Sequence, residues 1–213
     1  MSFLEISRQG YCLARNDVNL QKMIRLPVIF TMLLGGALGG GTLGAAPALA
    51  LKDVDGHVRT PLRGSGQQPA VVFFITHDCP VANKFAPEIR RIANDFRGKA
   101  QFTLAYVDPD LTAKKLARHR RDYGYRKLTA IHDRQHQLVR ATGAKVTPEA
   151  VVVDSTGKIV YRGRINNFYE DFGKPRRVIT QHDLRDALKA LLAGQPVPQP
   201  QAKAIGCFIP KLK

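Results

Sequence analysis

The stretch from Ala70 to Ile92 reads AVVFFITHDCPVANKFAPEIRRI, and its interpretation decides the fold. The opening run, Ala70 to Ile75, is short, β-branched and aromatic, which predicts a strand buried on both faces. The polar break Thr76-His77-Asp78 follows, and then Cys79-Pro80. Beyond it Val81, Phe85, Ile89, Ile92 and Phe96 recur at helical spacing, so a helix is expected from Pro80 to Phe96, with Gly98 as its C-cap. Pro80 suits the first helical turn, where its missing N–H costs nothing. Cys79 thus stands where a buried strand hands over to a helix. Free N–H groups and the positive end of the helix dipole gather there, which favours a thiolate and makes a nucleophile. A cysteine can also be a small buried hydrophobe, but the junction position argues for the reactive role.

Outward from this core the pattern continues in order. Leu51-Lys52 predicts a short strand before an Asp-Gly turn, and Pro61 to Pro69 a connector. Gln101 to Val107 reads as the next strand, Leu111 to Tyr123 as a basic helix, Leu128 to Ile131 as a short strand and His136 to Thr142 as a short helix. Glu149 to Asp154 and Lys158 to Arg164 then form an antiparallel pair across a Ser-Thr-Gly turn. Thr180 to Ala193 is a last helix with Thr180 as its N-cap. Parallel βαβα units followed by a β-hairpin and a helix predict an α/β fold of the thioredoxin type, a central mixed β-sheet flanked by helices.

Four segments in this order resemble the redoxin branch of the thioredoxin-like superfamily, related to peroxiredoxins of the alkyl hydroperoxide reductase/thiol-specific antioxidant kind. They are Asp53-Val54-Asp55-Gly56, Phe74 to Pro80, Gly143 to Glu149, and Gly157 to Ile165. The likeness spans residues 51–193. It implies that Pro148 is cis, faces Cys79, and lets Thr147 offer its backbone to an extended substrate. An X-Pro bond tolerates the cis form at a cost of about 1 kcal/mol or less.

The departures from the pattern matter too. Thioredoxins carry Cys-x-x-Cys, but Ala82 stands where the second cysteine would be. Thr76-x-x-Cys79 matches the peroxiredoxin motif, which implies that the Thr76 hydroxyl helps position peroxide; Val72 replaces the expected proline. An arginine is also implied, with Arg162 and Arg164 as candidates. His77 would favour a Cys79 thiolate if protonated, and Asp78 would oppose it. Cys207 lies beyond a Pro- and Gln-rich linker, in a tail ending Gly206-Cys207-Phe208. A mobile tail could bring Cys207 to resolve an oxidised Cys79, since a dozen extended residues span about 40 Å. The alternatives are a permanent staple and a thiol used between chains.

The sequence divides into a signal segment, residues 1–50; a redoxin domain, 51–193; and a tail, 194–213. Arg15, Lys22 and Arg25 precede the apolar stretch Leu26 to Leu43, which ends in Ala48-Leu49-Ala50, a signal-peptidase pattern. Met23 would give a compact signal, so Met1 to Lys22 reads as an over-extended start. Export to the periplasm or beyond is expected, with an uncleaved membrane anchor as the alternative. Cleavage removes Cys12 and leaves Cys79 and Cys207 in a compartment that permits disulfides. The formal charge of +16, from 33 Lys and Arg against 17 Asp and Glu, suits contact with anionic surfaces, but no nucleic-acid motif accompanies it.

No cofactor and no metal is expected. The Gly-rich run Gly35 to Gly44 lacks the Lys-Ser/Thr of a phosphate loop, and Asn83 stands where copper chaperones of this fold carry a second cysteine. These observations point to an exported, antioxidant-type thiol oxidoreductase. Its sites would be Cys79, Thr76 and Cys207 in catalysis and Thr147 and Pro148 in substrate binding. A peroxide or a protein disulfide would be the substrate and an external thiol the reductant. The competing expectation is a non-enzymatic thioredoxin-fold binding module that has lost its dithiol.

Overall fold

The computed structural model describes residues 48–212. A small hairpin comes first, β1 (Leu51–Lys52) antiparallel to β2 (Val58–Arg59). The Asp53 carboxylate closes its turn, accepting from the Asp55 and His57 N–H groups at 3.0 and 2.8 Å and from Arg59 Nε at 2.8 Å. The chain then runs through β3 (Ala70–Ile75), α1 (Pro80–Lys84), α2 (Ala86–Asp95), β4 (Gln101–Tyr106), α3 (Ala113–Asp122), β5 (Thr129–His132) and α4 (Gln137–Thr142). It continues through β6 (Val146–Thr147), β7 (Glu149–Val153), β8 (Ile159–Gly163), β9 (Tyr169–Asp171), β10 (Lys174–Pro175), α5 (Asp183–Leu192), β11 (Gln201–Ala202) and β12 (Cys207–Phe208).

Six strands make the main sheet, in the order β11-β8-β7-β3-β4-β5. β3, β4 and β5 are parallel, β7 is antiparallel to β3, and β8 is antiparallel to β7. Every residue of β3 is buried. Its side chains alternate across the sheet, so Val71, Phe73 and Ile75 join one apolar cluster and Ala70, Val72 and Phe74 the other. Val72 pairs with Thr103 on one side and Val151 on the other. A proline has no N–H for a ladder so enclosed, which accounts for the valine at this motif position.

Three expectations need correction. The helix after Cys79 is two helices, broken at Phe85 (φ −80°, ψ −7°). Pro87 is the cause, because it has no N–H to donate to the carbonyl of Asn83. Thr180 does not cap α5. Its hydroxyl accepts from Asn167 Nδ2 at 2.7 Å while its N–H donates to Asn167 Oδ1 at 3.0 Å, and the helix starts at Asp183. The tail beyond the linker is paired rather than free. β11 adds parallel to β8, and β12 pairs antiparallel with β6. Residues 1–47, which hold the expected signal sequence, lie outside the described residues, and Ala48-Leu49-Ala50 is irregular backbone. No described helix is long and apolar enough to cross a membrane.

Candidate active site

The strand-to-helix handover places Cys79 as the residue preceding α1, with extended backbone (φ −73°, ψ 112°). Its sulfur accepts the Ala82 N–H at 3.4 Å, one of the donors a helix start leaves unpaired. It also donates to the Thr147 carbonyl at 3.2 Å. That carbonyl precedes Pro148, and the Thr147–Pro148 peptide bond is cis. Cys79 is 2% exposed and belongs to the larger apolar cluster.

The tail closes over this point. The Arg162 N–H donates to the Pro200 carbonyl at 2.9 Å and the Arg164 N–H to the Ala202 carbonyl at 3.2 Å, fixing β11 along β8. β12 then places Cys207 opposite Thr147 and Phe208 opposite Val146, and the Ile209 N–H donates to the Lys145 carbonyl at 3.1 Å. Both cysteines are free thiols. Burial, followed by hydrogen bonding to Cys79 and the charges of Cys79 and Asp78, pushes the Cys207 thiol up to about 12.

A chain of polar groups fixes the loop before Cys79. His77 Nδ1 lies 2.7 Å from Asp108 Oδ1, and the same carboxylate accepts the His77 N–H at 3.2 Å. Asn83 Nδ2 donates to the His77 carbonyl at 3.0 Å, and Asn83 Oδ1 accepts from His119 Nε2 at 2.9 Å. With Nε2 donating, His119 Nδ1 accepts from the Tyr106 hydroxyl at 2.9 Å. Burial, then the charge of His77, lowers His119 to about 4, so this inner imidazole is neutral. His77, Asp78 and Asp108 bring ligand atoms within 4.8 Å of one another; hydrogen bonds hold His77 to Asp108, while the exposed Asp78 lies 3.9 Å from His77 Nδ1.

Cys79, Cys207, Thr147 and Pro148 therefore come together. Thr76 joins them through its hydroxyl, 3.4 Å from that of Thr147. The two arginines are engaged elsewhere. Arg162 donates to the Thr142 carbonyl at 2.9 Å, while Arg164 forks onto Asp183 at 2.9 and 3.1 Å. Sequence reasoning missed Tyr169. It packs tilted against Phe85, with ring centroids 6.0 Å apart. Burial and then the charge of Cys79 raise its hydroxyl above its ordinary value. Asp108 and Asn83 were also missed. The Asp108-Pro109-Asp110 run reads locally as a turn, and only the pairing of β4 with β3 brings it beside His77.

This sheet order, with one thiol at the β3–α1 junction facing a cis proline, defines a thiol protein of thioredoxin-like fold. The AhpC/TSA family matches residues 43–162, more than half of the chain. Among solved structures, a conserved protein from Geobacillus kaustophilus is 30% identical over 80% of this chain and 92% of its own, with a TM-score of 0.68. A protein from Sinorhizobium meliloti 1021 is 25% identical over 80% of this chain and 95% of its own, with a TM-score of 0.67. A thioredoxin-like protein from Porphyromonas gingivalis, at 20% identity, 72% and 95% coverage and a TM-score of 0.51, shares the fold. Among curated proteins none matches this chain. The chain belongs to the AhpC/TSA family, and so to the redoxin-type thiol oxidoreductases.

Proposed function

We propose that this protein is an exported thiol peroxidase in which Cys79 is the attacking thiolate and Cys207 the resolving thiol. The observation that carries the reading is the β12 register, which sets Cys207 opposite Thr147 while the Thr147 carbonyl contacts the Cys79 sulfur. The Cys79 thiolate attacks one oxygen of a hydroperoxide and the O–O bond breaks. Sulfur loses two electrons and becomes a sulfenic acid, and the departing alkoxide or hydroxide takes a proton from solvent. Cys207 sulfur then displaces the hydroxyl group of the sulfenic acid, giving the Cys79–Cys207 disulfide and water. Two thiols of an external reductant restore the starting state.

A peroxide is favoured over a protein disulfide by the docked tail. A protein substrate pairing with Thr147 would need the edge that Cys207 already occupies, and Cys79 is only 2% exposed. Thr76, bonded to Thr147, positions the backbone against which the oxidant sits. A disulfide substrate becomes the better reading only if β12 leaves.

The test is mass mapping of both cysteines before and after one equivalent of hydrogen peroxide. Two free thiols should become one Cys79–Cys207 disulfide. Cys207→Ser should instead accumulate a dimedone-reactive Cys79. Two thiols that stay free, with no dimedone adduct in the variant, would leave the non-enzymatic binding module as the function.

A further inference from the structure

The two sulfurs of that cycle differ in how they can be reached. Cys79 lies within the apolar cluster that also holds Val81, Ala82 and Phe85. Cys207 is half-buried and lines a cavity of about 890 Å³ whose walls do not include Cys79. Val146, Phe172 and Phe208 give that cavity an apolar side, and Phe172 and Phe208 are 58% and 84% exposed. Lys145, Lys203 and Arg162 give it a basic side. Two carboxylates also line it and both are turned to the backbone, Glu149 accepting the Lys145 N–H at 2.7 Å and Asp171 the Phe172 N–H at 2.8 Å, so the basic side chains outnumber the acidic ones.

Thiol–disulfide exchange requires the incoming sulfur to approach in line with the bond it breaks, from the side opposite the leaving sulfur. Attack on Cys79 would have to come through the apolar cluster. Cys207 borders the cavity and Cys79 does not, so a sulfur held in the cavity meets Cys207. We propose that a thiol reductant of net negative charge docks in this cavity, against Phe172 and Phe208 and beside Lys203, and attacks the sulfur of Cys207. The inference rests on the proposed Cys79–Cys207 disulfide. The reductant's sulfur bonds to Cys207 Sγ, the S–S bond breaks, and Cys79 leaves as the thiolate. A second thiol of the reductant then attacks the mixed disulfide and releases Cys207, which takes a proton, and the reductant is oxidised by two electrons. The opposite route would expel Cys207, whose thiolate is disfavoured first by its burial.

The route can be read directly on the full chain. Diamide oxidation makes the disulfide without any need for peroxide turnover. Glutathione is then added, the mixture quenched in acid, and free thiols blocked with N-ethylmaleimide before peptide mapping. Glutathione should be found on Cys207 and the maleimide on Cys79. Lys203→Glu, an exposed side chain, should lower the rate with glutathione about tenfold relative to the rate with neutral 2-mercaptoethanol, equivalent to about 1.4 kcal/mol. Glutathione on Cys79, or an unchanged rate ratio in Lys203→Glu, would overturn the docking inference alone. Failure of diamide to join the two cysteines would overturn both this inference and the proposed function.

Discussion

Gly206 and the carbonyl of Thr147 approach so closely that a β-carbon on Gly206 would lie 2.0 Å from the Thr147 oxygen. No real side chain survives at that distance, and the obstacle is backbone that cannot swing aside. Glycine is therefore what allows the tail to lie flat beside the cis-proline loop.

Gly206→Ala should accordingly lift β12 from β6 while leaving both cysteines in the chain. Peroxide should still oxidise Cys79, but capture by Cys207 should slow by about tenfold or more, because the two sulfurs are no longer held together. Rapid-quench mass analysis would show the sulfenic acid persisting. Disulfide formation at the unaltered rate would mean that the docking does not position Cys207.

The raised Cys207 thiol gives a pH prediction with a definite sign. Its thiol form persists until pH approaches about 12, with burial first among the causes and Cys79 next. Cys79→Ser removes the Cys79 contributions and leaves the burial. The inflection in alkylation rate of Cys207 should move down in that variant, yet stay above the ordinary cysteine value of about 8.5. An unmoved inflection would show that the two thiols do not feel each other.

His119 makes the fold acid-sensitive. In the unfolded chain its imidazole titrates near 6.5, and burial lowers it to about 4 in the folded one. Between those values the unfolded chain binds more protons, so stability falls as pH drops from about 6.5 toward 4. The loss from this one group is on the order of 3 kcal/mol. Urea unfolding at pH 7 and pH 4.5 should show the wild type losing more stability than His119→Gln, which has no proton to gain there. Equal losses would refute the assignment.

The Arg164–Asp183 pair ties the end of β8 to the start of α5. The Asp183 side chain is 3% exposed and the Arg164 side chain 22% exposed, so removing one partner strands a charge away from water. Asp183→Ala should cost about 3 kcal/mol in urea unfolding. A loss below about 1 kcal/mol, the range of a surface pair, would show that solvent already screens it.

Much of this was legible locally. Ala70–Ile75 announced a buried strand by its composition, and the structure has that strand with the same bounds. Cys79, Thr147 and Pro148 drew attention because each sits at a boundary between elements, where sequence punctuation is strongest. The split at Phe85 was written in Pro87, but the apolar stripe continues across the break and hid it. His119 lies within Arg118-His119-Arg120-Arg121, where its neighbours suggest solvent. Only its spacing of three from Leu116 places it on the buried face of α3. The tail was hardest to read. β11 and β12 are two residues each and take their form from the strands they join, so they carry no periodicity of their own.

β11 is also the outermost strand of the main sheet and covers the open edge of β8. An uncovered edge is a template for pairing with another chain. The linker that leads to it, residues 194–200, is exposed except at Val197, which makes it the natural place for a protease to cut. One cut there would detach β11 and β12 together. The proposed resolving thiol and the guard against self-association would be lost in a single event, so a chain deprived of Cys207 would also be the one that sticks to its neighbours. Size-exclusion chromatography of the nicked protein should find it in larger assemblies than the intact chain.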